Sequence, residues 1–287
     1  MHTPRAYRAP LRLLGFAGIL LLVFGVAVAA GSVIGPDREP SGEPMAGHGA
    51  SPDPVRGLAV AEDGLELELD RTELPRGRES ELAFRILDGG RPVRDFDVEH
   101  EKRMHVIVVR RDGRGFQHVH PELGGDGAWR VPVTLPDAGA YRVFADFSHD
   151  GEARTLAADL SVDGATDYSP LPAPARSAGT DDGYRVGLDA GRVRAGKDTE
   201  LSFTVTRGGE PVRTEPYLGA GGHLVALREG DLAYTAADGS PAVGDRAGPA
   251  VAFTARVPSA GTYRLFFQFR VADVMHTAEF TVPTRNP

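Results

Sequence analysis

The chain has 287 residues, 41% of them hydrophobic and 25% charged, which is a globular composition with room for two domains of about 100–150 residues each. A net charge of −8 disfavours a nucleic-acid partner, whose phosphates require positive surface. There is no cysteine, so disulfides and thiolate sites are excluded and any metal must be held by His, Met and carboxylates.

Residues 1–12 are basic through Arg5, Arg8 and Arg12, and residues 13–35, LLGFAGILLLVFGVAVAAGSVIG, are uncharged and mostly apolar. At about 1.5 Å per residue that run spans a hydrocarbon core of about 30 Å as a helix. The basic flank belongs on the cytoplasmic side, which predicts a single-pass membrane anchor with everything after Pro36 extracytoplasmic. A cleavable signal peptide is the competing reading, because AVAA offers small residues to a peptidase; the chain would then be secreted. Residues 36–57, rich in Pro, Gly, Ser and acidic groups, bury too little to order themselves and read as a disordered stalk. The stalk holds one Met/His pair, Met45 and His48.

Two bodies follow, 58–166 and 183–284, separated by a linker at 167–182. They are copies of each other: GLELELDRTELPRGRESELAF (64–84) aligns without gaps on GYRVGLDAGRVRAGKDTELSF (183–203), and HVIVVR (105–110) meets HLVALR (223–228). LPDAGAYRVFADF (135–147) likewise matches VPSAGTYRLFFQF (257–269). LELELD and ELAFRI alternate apolar and polar residues as half-buried strands do. The continuous β-branched run in HVIVV predicts a strand buried on both faces. About seven short strands in about 100 residues is the rhythm of an immunoglobulin-like sandwich, with Tyr141 and Tyr263 opening a late strand. The expected fold is therefore all-β, two tandem immunoglobulin-like sandwiches after one N-terminal helix.

Five of the nine histidines fall between residues 100 and 149. If MHVIVV and FQHVHP form a hairpin turning at Asp112–Gly113, His105 lies opposite His120, with His118 beside it on the same face. Cross-strand Cβ atoms about 4.5–5.5 Å apart allow three imidazoles to converge on one ion. His149, at the end of the late strand, and Met104 are candidates for a fourth ligand, although Met104 points to the opposite face unless a bulge intervenes. In the second copy His118, His120 and His149 correspond to Ala236, Asp238 and Val271, so the fold itself does not need these histidines. Met275–His276 with His223 is a weak second candidate.

The run DFDVEHEKRMHVIVVRRDGRGFQHVHPEL, with GAYRVFADF further on, resembles actinobacterial membrane-anchored or secreted proteins with tandem YtkA-like extracytoplasmic domains. The resemblance implies a β-sandwich and associates the MH…HxHP pattern with copper handling. With imidazole and thioether donors and no thiol, copper is the expected metal, with zinc as the alternative. No HExxH or GxSxG is present, and the contiguous SHD at 148–150 cannot converge as a triad, so no enzyme is expected. The expected function is metal sequestration or delivery outside the membrane, with any protein partner undefined. The alternative is an adhesion or scaffold module whose histidines pack or sense pH.

Overall fold

The computed structural model describes residues 55–238 and 248–287. The expected anchor at 13–35 and all but the last three residues of the expected stalk lie outside them. Among the described residues there are strands and no helix.

The first copy runs β1 (Ala61–Glu62), β2 (Leu65–Leu69), β3 (Glu73–Leu74), β4 (Glu79–Asp88), β5 (Arg91–Pro92), β6 (His105–Arg110), β7 (Gln117–Val119), β8 (Glu122–Leu123), β9 (Trp129–Thr134), β10 (Gly139–His149) and β11 (Glu152–Val162). One sheet has the order β1-β2-β4-β9-β8 with β5 on β4, and the facing sheet has the order β3-β11-β10-β6-β7. The alternation seen in the sequence sets the faces: Leu65, Leu67, Leu82, Phe84 and Ile86 turn inward and meet Val106, Val108, Tyr141 and Val143 of the other sheet.

The second copy comprises β12 (Ser177–Gly179), β13 (Tyr184–Ala190), β14 (Asp198–Arg207), β15 (Glu210–Pro211), β16 (His223–Arg228), β17 (Tyr234–Asp238), β18 (Ala250–Arg256), β19 (Gly261–Val271) and β20 (Val274–Thr284). Its sheets repeat the plan, β13 with β14 and β18 on one side and β17-β16-β19-β20 on the other. β12 lies inside the segment expected to be linker, because Ser177–Gly179 adds to the free edge of β13.

The order of strands, the short β3 running parallel to the last strand β11, and the two facing sheets make each copy an immunoglobulin-like sandwich. Each also carries a tyrosine corner: the Tyr141 hydroxyl donates to Asp137 O at 2.9 Å and the Tyr263 hydroxyl to Ser259 O at 3.0 Å. These are the two tyrosines whose position in the sequence marked a late strand.

The two copies pack sheet against sheet. Ile107, Val109, Phe144 and Ala157 of the first copy form one buried cluster with Val225, Leu227, Leu232, Tyr234 and Phe266 of the second. Alternation explains how β6 does this: Val106 and Val108 enter their own core while Ile107 and Val109 enter the cluster between the copies. The expected burial on both faces is thus present, and the second face is covered by the duplicate. The contact is nearly symmetric, since Phe116 stacks on Phe266 with centroids 4.0 Å apart, and their counterparts Tyr234 and Phe144 lie 5.4 Å apart. Residues 55–57 tie the pair together, Gly57 N donating to Thr155 O and Tyr234 N to Arg56 O. Gly57 has a φ of +72°, and a Cβ there would lie 2.7 Å from the Tyr234 Cβ, so the close approach requires glycine.

Candidate metal centre

β6 and β7 pair in the register Val106↔Val119, Ile107↔His118, Val108↔Gln117. This continues to place His105 opposite His120, as a two-residue turn would, although residues 111–116 form a longer connection. Because Ile107 faces the second copy, His105, His118 and His120 share that face, and the histidines stand at the rim of the contact between the copies.

Their rings converge, with centroids 4.8–5.3 Å apart. His105 Nδ1 lies 3.1 Å from His118 Nε2 and 3.2 Å from His120 Nε2, and one nitrogen from each ring falls within 4.8 Å of the others. Three imidazole nitrogens bound tetrahedrally at about 2.0–2.1 Å stand about 3.3 Å apart, so a metal ion requires only small ring movements.

The opposite edge of each ring meets a hydrogen-bonding group. His105 Nε2 is 3.4 Å from Glu99 O, His118 Nδ1 is 2.6 Å from Gln268 Oε1, and His120 Nδ1 is 3.5 Å from the Tyr217 hydroxyl. With those nitrogens donating, three lone pairs face one another, an arrangement that a cation relieves.

The electrostatics keep His118 and His120 neutral, as a metal requires. Burial first, then the neighbouring histidines, holds His118 well below the ordinary imidazole range. Burial, His105 and Lys102 push His120 down to about 3. Beside the triad opens a cavity of about 210 Å³ lined by His105, His118, His100, His223, Arg56 and Asp146, among others. His100 occupies a tight turn with positive φ at both His100 and Glu101, closed by reciprocal bonds between Glu99 and Lys102. Its ring lies 6.3 Å from that of His105 and 6.2 Å from that of His223.

Met104 and His149 do not join the triad. No bulge reverses Met104, which is 1% exposed and packs inside the first sandwich. His149 is three residues beyond Asp146, the partner of His105, and so faces the other way; its Nδ1 lies 2.9 Å from Asp95 O beside Phe96. The weak second candidate does not assemble either. His276 pairs with Phe269 on the core side of β20 and meets Asp182 at 2.6 Å, whereas His223 faces the first copy. Sequence reasoning missed Gln268 and Tyr217. No motif marks either, and only the packing of one copy on the other brings them to the histidines.

A family model described as "Domain of unknown function (DUF8832)" matches residues 59–164 and again 178–286. No curated protein matches the chain. Among solved structures the chain is similar to the Escherichia coli adhesin FdeC, at 16% identity and a TM-score of 0.27 over 79% of this chain and 65% of that one. It is also similar to a Salmonella alpha-2-macroglobulin, at 15% identity and a TM-score of 0.28 over 81% and 15%. A chimeric titin Z1Z2 tandem gives 15% identity and a TM-score of 0.19 over 78% and 99%. The chain spans less than two thirds of the adhesin and macroglobulin chains, and likeness at these scores carries no functional argument.

Proposed function

The chain belongs to the DUF8832 family, two copies of whose domain make up most of its length, and from the site in the first copy we propose that it is a metal-binding protein, with copper its cargo. The observation that carries this reading is the convergence of three imidazole nitrogens on one point, each ring met from its far side. With Met104 in the core, the donor set is all imidazole. Such a set accepts Cu(II), Zn(II) and Ni(II), and Cu(II) binds most strongly in the ordinary divalent series. The resemblance of the MH…HxHP segment to YtkA-like domains associated with copper handling supports the same choice. The apolar run at 13–35 supports attachment to a membrane with the sandwiches outside it. The role is sequestration or delivery, without catalysis.

A scaffold module with a pH-responsive histidine cluster is the rival, and the burial of His118 and His120 favours it as the second reading. Thermal denaturation separates the two. At a free Cu(II) concentration 100 times the dissociation constant, a binder gains about 2.7 kcal/mol of stability, with a smaller gain at equal Zn(II). A melting temperature that responds to pH but to neither ion supports the scaffold.

A further inference from the structure

The second copy has no counterpart of His118 or His120, yet it covers them. We propose that it is the orienting half of the centre: Gln268 holds His118 as its Nδ1–H tautomer, so that the Nε2 lone pair faces the ion, Tyr217 meets His120 from behind, and affinity depends on the two copies being docked. This rests on the metal reading of the triad.

Gln268 stands opposite His223 on β19 and is 8% exposed. Its amide nitrogen lies 3.4 Å from Thr277 Oγ1, which leaves Oε1 to accept from His118 Nδ1–H at 2.6 Å. A carbonyl in that position excludes the Nε2–H form of His118, which would put a proton among the three lone pairs. Tyr217 is placed by a tight turn over Leu218 and Gly219, both at positive φ, closed by the bond from Tyr217 N to Ala220 O. His223 Nε2, 3.0 Å from Tyr217 O, braces that turn. The counterpart of His105 thus serves to support the loop whose phenol reaches His120. The duplication shows why the roles are not interchangeable. The counterpart of Gln268 is Asp146, which accepts from the Tyr234 hydroxyl at 3.0 Å and from Thr155 Oγ1 at 2.7 Å. The position equivalent to His118 is Ala236, so Asp146 meets no imidazole from the other copy and takes instead the phenol of Tyr234, the counterpart of Phe116.

Long-range ¹H–¹⁵N spectra of the metal-free, full-length protein read each ring's tautomer directly. The expected result is Nδ1–H for His118, released to Nε2–H in Gln268→Leu. Cu(II) affinity should fall about 10–100-fold in Gln268→Leu and be kept in Gln268→Glu, which retains an acceptor. Tyr217→Phe, which removes only a hydroxyl, should weaken binding in the same direction. An Nε2–H His118 in the wild type overturns the proposal whether or not the protein binds metal. So does an unchanged affinity in Gln268→Leu. A wild type that binds no metal overturns the parent reading and this role together.

Discussion

At the scale of single residues the decisive group is His118, which the fold keeps neutral. An imidazole held below its ordinary range takes up fewer protons folded than unfolded, so the metal-free protein loses stability as pH falls below about 6.5. For His120 the loss continues down to about 3, where the folded state takes up its proton. Asp146 has the opposite sign: burial raises its carboxyl, so its contribution improves as pH falls. Denaturation of the metal-free protein between pH 7.5 and 5 should show falling stability, and His118→Gln/His120→Gln should flatten that slope. An equal slope in wild type and variant would show that these histidines do not carry the dependence.

At the scale of elements, strand parity decides which donors meet. Residues 105, 118 and 120 lie on one face of a paired ladder, while 104 lies on the other and 149 is out of phase with Asp146. His149→Ala should therefore leave Cu(II) affinity within about 2-fold of wild type, because its ring bonds Asp95 O on the far face, a difference a competition titration resolves; a tenfold loss would place it in the centre. Most of this was legible beforehand. Alternation gave the strands, the continuous HVIVV run gave burial on two faces, and HxH opposite a third histidine gave the triad, because period and register are properties of adjacent residues. His149 was misplaced as a candidate because the pairing of β10 with β6 joins segments about 40 residues apart, and no local pattern fixes that phase.

At the scale of the whole molecule, the duplication makes one unit from two sandwiches. The copies themselves could be read from repeated segments, but their face-to-face packing could not. Phe266 and Phe116 look like any other aromatics until the copies meet. Phe266→Ala removes a fully buried ring from the contact and should cost about 3–5 kcal/mol in chemical denaturation; a cost below about 1 kcal/mol would mean that the copies are not held by this cluster. The same packing carries Gln268 and Tyr217 to the histidines, so a chain that reads as one good copy and one degenerate copy joins a histidine cluster in one half to the groups that contact it from the other.

Whether His105, His118 and His120 form one metal site is read most directly by calorimetric titration of the purified, untagged protein with Cu(II) and Zn(II). One tight equivalent is expected, stronger for Cu(II), and it disappears in His118→Ala/His120→Ala while the β-sheet circular dichroism is retained. Binding no tighter than tens of micromolar, or a tight equivalent that survives in the variant, would rule that site out.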